Sequence, residues 1–245
     1  MSTSNVEDYR RGLNDMLAQA SEEIANLERK KFLLDMMIDR SYAYDTSTVS
    51  TDVVGMEFCS DEYRILTFSV EPAIELEGVS KSDVDEQWSL CLRQLKRRFI
   101  ELGIPLEYFS CVGNIISLDD LEAKRFRISG VYVIVDDQYS HSEVESRTVE
   151  RGLSIVTYKA YLDDASDIVL EYEGLKSLLE YAEENNYAIS GDLLCESVTD
   201  ASILLDNSNH RLVKLNLPVR TWGSSSRIGS CHLTQNVAAE FSVLD

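Results

Sequence analysis

Apolar positions in the first forty residues recur at alternating steps of four and three. Val6, Leu13, Ala20, Leu27 and Leu34 fall at the d positions of a heptad, and Arg10, Leu17, Ile24, Lys31 and Ile38 at the a positions. The mean step is the 3.5-residue period that keeps one stripe of a helix against a partner along a supercoil. From Val6 to Ile38 such a helix runs about 50 Å at 1.5 Å per residue, too long to be buried on one small domain. The other faces are polar, as in Asp8, Glu22, Glu23 and Arg29. Arg10 and Lys31 are poor core residues, but in a two-stranded seam their stems lie along the interface while the charges reach water. A long surface helix packed on its own domain is the alternative. The pattern favours a homodimer held by Leu13, Leu17, Ile24, Leu27, Leu34 and Ile38.

Past a polar stretch from Tyr42 to Asp52, rich in Ser and Thr, the pattern reads strand, helix, strand, strand, written twice. Arg64–Val70 is a predicted strand. Asp83–Leu102 is a predicted helix, with Trp88, Cys91, Leu92, Leu95, Phe99 and Leu102 on one stripe. Gly103 and Pro105 stop it. Strands are predicted at Tyr108–Leu118 and Phe126–Val135. The second copy predicts a strand at Leu153–Lys159 and a helix at Glu171–Asn185 with Tyr172, Leu175, Leu178, Leu179 and Ala182 on one face. Asn185 and Asn186 end that helix, and strands follow at Gly191–Val198 and His210–Val219. The offset between copies is about 90 residues, and a duplication outranks any single-residue signal. In the last strand Val213, Leu215 and Leu217 point to the helices, while Leu212, Lys214 and Asn216 point away. Residues 220–245 have no sustained period and read as a tail, with Trp222 tucked down.

Composition narrows the function. Hydrophobic content of 44% and charged content of 27% are ordinary for a globular chain, and there is no apolar run near 18 residues. No membrane span or secretory leader is indicated, which predicts a cytoplasmic protein. The five cysteines (Cys59, Cys91, Cys111, Cys195, Cys231) form no CxxC, and His141, His210 and His232 are scattered, so reduced thiols and no metal or cofactor are expected. The net charge is −20, of which −18 lies outside the first forty residues. Such a surface repels phosphate backbones. The one basic cluster, Arg93, Lys96, Arg97 and Arg98, reads as a solvated helix face.

Three phrases carry a family resemblance: RGLSIVTYKAY (151–161), LLEYAEENNYAISGD (178–192) and HRLVKLNLPV (210–219). VGNIISLDDLEAKRFRISGVYVIVD (112–136) is similar in the first copy. Together with the coil, they make residues 1–220 resemble the effector half of multidrug-sensing transcription activators of the MerR family, in which a dimerisation helix leads into a GyrI-like domain. The resemblance implies an α+β fold with this division: residues 1–41 a coiled-coil dimerisation helix, 42–60 a hinge, 61–220 a GyrI-like effector-binding domain (repeats 61–137 and 150–220), and 221–245 a tail. It implies a small aromatic ligand held between the repeats. Only five residues precede Val6, so no DNA-binding head is expected here, and contact with DNA would need a DNA-binding partner chain. Other departures concern the sensing groups. Lys214 stands where cation-sensing relatives often hold a Glu before the closing strand's proline. The second acidic position falls at or beside Cys195, next to Glu196. Ala160 replaces the glycine of a lysine–glycine pair.

The aromatic candidates near the seam are Phe68, Trp88, Tyr108, Phe126, Tyr132, Tyr158 and Tyr172, with Glu196 and Lys214 as polar members. Plain core packing is the competing role for each aromatic, least so for the tyrosines, whose hydroxyls need partners. The expected ligand is flat, neutral or anionic, stacked on Tyr158 or Tyr172 and Trp88 and anchored by Lys214. The leading function is a dimeric, effector-sensing regulatory protein that is not an enzyme. Two other classes stay open: a small-molecule hydrolase of the GyrI-like type, for which no GxSxG, HExxH or Cys/His arrangement stands out, and an acidic interaction module that shields a nucleic-acid-binding enzyme.

Overall fold

The computed structural model describes residues 3–44, 53–137, 139–161, 167–200 and 211–221. In chain order the elements are helix α1 (Thr3–Tyr44), strands β1 (Val54–Cys59) and β2 (Tyr63–Glu75), helix α2 (Lys81–Leu102), a 3₁₀ segment (Leu106–Cys111), strand β3 (Val112–Ile116), the short helix α3 (Leu118–Glu122), and strands β4 (Arg127–Val135), β5 (Glu145–Val149) and β6 (Gly152–Tyr161). Helix α4 (Asp167–Glu184) and strands β7 (Tyr187–Ile189), β8 (Leu193–Asp200) and β9 (Arg211–Thr221) complete it. The fold is α+β: a long N-terminal helix followed by two strand-helix-strand-strand units. The strand order is β1-β6-β9-β8-β3-β4-β2-β5, with β7 on the far end of β9. All pairs are antiparallel, and β3 meets β8 at the junction of the two units.

Local chemistry sets the boundaries. Ser80 caps α2 by accepting the Asp83 N–H at 3.2 Å, and Gly103 (φ 67°) closes it in the left-handed region that glycine enters without strain. Asn186 (φ 57°) plays the same part after α4. In place of one strand at Tyr108–Leu118, the chain makes a 3₁₀ segment after Pro105, then β3, then α3. The physical reason lies at the two ends: Pro105 starts a turn, and the Ser117 hydroxyl accepts the Asp120 N–H at 3.2 Å and nucleates α3. Within the stretch read as a hinge, residues 54–59 form edge strand β1. The other edge, β5, has the sequence ESRTV and only half-buried or exposed residues. Short, partly polar edge strands leave little hydrophobic signal. Trp222 and the rest of the expected tail beyond Thr221 lie outside the described residues.

Two opposite faces of the sheet are covered differently. Val213, Leu215 and Leu217 are buried against Leu175, Leu178 and Ala182 of α4, and Leu66, Val131 and Val133 lie with Leu95 and Phe99 of α2. The other face receives the C-terminal half of α1, where half-buried Phe32, Leu33 and Met36 pack on Ile65, Ile115, Tyr132, Ile134 and Leu194. The heptad seam faces away. Leu13, Leu17, Ile24, Leu27, Leu34 and Ile38 are 47–67% exposed, so the seam does not rest on its own domain. Among the described residues no helix is long and apolar enough to cross a membrane.

Candidate ligand-binding site

Strand register assembles a continuous row on the face that α1 partly covers. Tyr158 of β6 stands opposite Lys214 of β9, Lys214 opposite Glu196 of β8, and Glu196 opposite Gly113 of β3. Gly113 in turn stands opposite Tyr132 of β4. Successive side chains of a strand alternate between faces, so residues paired across the ladder share one face. The row gains a member from the edge. Glu57 of β1 accepts the Tyr158 hydroxyl at 2.9 Å through Oε1 and forms an ion pair with the Lys214 ammonium through Oε2. The ammonium also lies 5.6 Å from the Tyr158 ring centroid, within cation–π reach.

The electrostatics of this row are tight. Burial works against the Lys214 ammonium, but its hydrogen bond to Glu57 and the fields of Tyr158, Glu57 and Glu196 win, and its pKa rises above the ordinary lysine value. Burial also pushes the Tyr158 hydroxyl up to about 12; Lys214 opposes that shift and Glu57 adds to it. Tyr158 therefore stays a neutral donor at physiological pH. Two carboxylates flank one ammonium, leaving the row with a net charge of −1. Lys214 is already engaged, which removes it as a ready anchor for an anionic ligand.

Glycine is required at the centre. A Cβ on Gly113 would sit 2.4 Å from the Tyr132 ring and from the Cys195 carbonyl oxygen. The ring of Tyr132 thus lies over the β3 backbone in the gap between its own strand and the strand that bears Glu196. Tyr132 itself is fully buried beneath α1.

The remaining predicted aromatics are placed elsewhere. Trp88 on α2 and Tyr172 on α4 pack on the helix-covered face, where Tyr172 meets Phe126 with ring centroids 5.6 Å apart and carries the Lys176 ammonium 4.1 Å above its ring. Phe68 is on that face too, 5.6 Å from the ring of Phe99. The expected stack of Tyr158 or Tyr172 and Trp88 around Lys214 is not formed, because Lys214 and the helices lie on opposite sides of one sheet. Tyr108 belongs to a third cluster. Its hydroxyl donates to Asp136, its ring lies 5.0 Å from that of Tyr139, and the Arg29 guanidinium of α1 sits 5.6 Å over it. Burial, then the Asp136 hydrogen bond, raise its hydroxyl far above the ordinary tyrosine range. Arg29, read from sequence as a solvated residue, is one of the points where α1 meets the body.

On the helix-covered face, Asn114 of β3 stands opposite Cys195 of β8 and donates to Glu171 of α4 at 2.7 Å. Asn114, Cys195 and Glu171 are buried. Burial first, then the carboxylates Glu171 and Glu196, hold the Cys195 thiol well above its ordinary pKa, so it is an inert protonated thiol. Among the described residues, no group of three or more His, Cys, Asp and Glu is placed to hold a metal ion.

Sequence reasoning missed Glu57, Gly113 and Arg29. The alternation in Val54–Cys59 (VGMEFC) was the available signal for a strand around Glu57. Nothing local marked Gly113 or Arg29.

No protein-family model matches the chain, and no curated protein matches it. Solved structures are similar. The complex described as "Cryo-EM structure of EcmrR-DNA complex in EcmrR-RPo" aligns with 9% identity and a TM-score of 0.46 over 90% of this chain and 78% of that one. The "EcmrR C-terminal domain" aligns with 8% identity and a TM-score of 0.48 over 69% of this chain and 98% of that one. A hydrolase from Listeria innocua gives 10% identity and a TM-score of 0.35 over 73% and 97% of the two chains. Identities of 8–10% and TM-scores below 0.5 leave the site of this chain to be judged on its own geometry.

Proposed function

We propose that this chain is an effector-sensing regulatory protein of the cytoplasm, working as a homodimer, that binds a small aromatic ligand on the Tyr158–Glu57–Lys214–Glu196 row without catalysing a reaction. One observation carries the proposal: α1 packs along β8, the strand that bears Glu196, and on the same sheet face as the row. A ligand that displaces the row's ion pair acts on the surface where α1 is seated. The outer seam of α1 is the dimer element, so occupancy and dimer geometry share one helix. Differential contacts in two states are what a sensor requires. The row is half-buried, neutral tyrosine supplies a stacking surface, and the net charge of −1 favours a neutral or cationic aromatic over an anionic one. With a protein charge of −20, contact with DNA runs through a partner chain rather than this acidic surface.

Thermal-shift titration with size-matched cationic, neutral and anionic aromatic dyes tests this. Cationic and neutral dyes should stabilise the protein, and Glu196→Gln should weaken the cationic ones. Stabilisation by the anionic dyes alone, or no response to any dye, overturns the assignment, as does turnover of an ester substrate at the row.

A further inference from the structure

A cavity lies on the other side of the sheet from the row and at the other repeat. It has a volume of about 600 Å³ and is a cleft between α2, the irregular middle of β2 and the loop entering β5. It arises from three sequence features. Pairing of β2 with β4 slips between Ser69 and Ile74, around Pro72, so the strand bends away from the regular ladder. Strand β5 pairs with β2 only as far as Thr67, and beyond that point the outer edge of β2 has no neighbouring strand among the described residues. Gln87, Leu90, Cys91, Gln94, Leu95 and Arg98 repeat at helical spacing along one side of α2 and form the opposite wall.

The floor is apolar, built from Phe68, Val70, Leu95, Val131 and Val144. Leu90 at the wall is 49% exposed, an apolar side chain facing an open cleft. The rim is charged. Glu71, Glu143 and Glu145 stand on the strand side and Arg98 on the helix side, a local balance of −2. Among the described residues none of these four is held in an ion pair. Volume and lining fall in the range of small-molecule sites, roughly 300–1,000 Å³, apolar with a few polar groups at the edge. A cleft with low-dielectric walls concentrates the field of its rim and enriches ions of opposite sign.

We infer that the cleft between α2 and the bent part of β2 is a second ligand site, for an amphipathic organic cation whose apolar body lies on Phe68, Val70, Leu95 and Val131 and whose charge lies at the Glu143–Glu145 rim. The site goes beyond the row proposed above. The two are on opposite faces of the sheet and share no residue, so either stands without the other.

Cys91 supplies a local reporter. It lines the cleft and is half-buried, whereas Cys59 lies on the β1 edge. The full chain is alkylated with iodoacetamide, and the rate at each cysteine is read by peptide mass spectrometry. The probes are (2-naphthylmethyl)trimethylammonium, 2-naphthalenemethanol and 2-naphthaleneacetate. At about four times its Kd the cation should slow Cys91 about five-fold, since protection follows one plus concentration over Kd, and leave Cys59 unchanged. Protection should fall below about two-fold in Glu143→Gln/Glu145→Gln and in Leu90→Ser, both at exposed positions that folding tolerates. Equal protection by the alcohol or the acetate, protection untouched by both variants, or no protection at all overturns the site. Loss of Cys91 protection in Glu196→Gln also overturns it, because the probe would then be acting from the row. Dye stabilisation lost in Glu196→Gln with Cys91 protection intact shows two independent sites.

Discussion

Single positions in this protein are set by what surrounds them rather than by their own chemistry. Gly113 is in a plain strand, yet a methyl group there would overlap the Tyr132 ring and a carbonyl oxygen at 2.4 Å. Backbone on one side and a buried ring on the other leave no room for the clash to relax. Gly113→Ala should therefore cost about 2–4 kcal/mol in chemical denaturation; a change under 0.5 kcal/mol would show that Tyr132 is free to move. Asp120 is the second case. Burial alone would raise its pKa, but hydrogen bonds from Arg127 and Ser117 and the charges of Arg127 and Arg125 outweigh it, and the net shift is downward. Arg125 reaches Asp120 at 2.9 Å and Arg127 at 3.0 Å. A carboxyl depressed in the folded state contributes stability that is complete above its unfolded pKa and disappears as the pH falls through the folded value. Asp120→Asn should cost about 2–3 kcal/mol at pH 7, less than for a fully buried pair because both arginines are partly solvated. The wild-type advantage should shrink steadily in urea titrations as the pH falls below the ordinary aspartate value of 3.8. A penalty that stays constant on acidification would assign it to packing instead.

At the scale of elements, α1 carries two stripes with different partners. The inner one, Arg29, Phe32, Leu33 and Met36, holds the body. The outer one is the heptad seam, left bare by the domain. Covering six large apolar residues of this kind in a dimer is worth roughly 1.5–3 kcal/mol each at full burial. Leu17→Asp/Ile24→Asp places unpaired charge in that seam and should give a monomer in sedimentation velocity where the wild type is a dimer at tens of micromolar. A wild-type monomer at that concentration refutes the seam. In a dimer formed through this seam, the two basic a positions favour antiparallel chains. A parallel pair stacks Arg10 on Arg10 and Lys31 on Lys31. An antiparallel pair centred on residue 22 sets Arg10 against Leu34 and Lys31 against Leu13 of the second copy, and like charges separate. Leu13→Cys combined with Lys31→Cys should thus cross-link into dimers through unlike positions.

At the scale of the molecule, charge and layering decide what the protein can meet. With a net −20, the described surface offers no extended basic stripe, and counterion release cannot drive duplex binding. The purified chain should leave any duplex unshifted at nanomolar concentration and physiological salt; a shift under those conditions would contradict this. The layers separate two environments. Under α4 the helix-covered face is closed around a buried Asn114–Glu171 contact, while the opposite face beside α1 keeps the half-buried Glu57–Lys214 pair. A ligand is more easily admitted to the second, because displacing a partly solvated ion pair costs less than opening a packed core.

The sequence by itself determined what depends on near neighbours. The period of α1, the Ser80 and Gly103 ends of α2, the doubled order of strands and helices, and the parity of β9 were all legible, because helix and strand geometry fix which residues share a face within one element. Lys214 was read correctly as lying off the helix side for that reason. What only the tertiary structure decided is which faces meet. Glu57 lies 101 residues from Tyr158 and 157 from Lys214, in an edge strand whose partly polar run resembled a hinge. Trp88 and Tyr172 looked like partners of Lys214 until the sheet came between them. Gly113 gains its role only when β3 is flanked by Tyr132 and Cys195. Pairing across a sheet is a choice among distant segments of similar local pattern, settled by which register buries the most apolar surface while satisfying every buried polar group, and that sum is not written in any one stretch of chain.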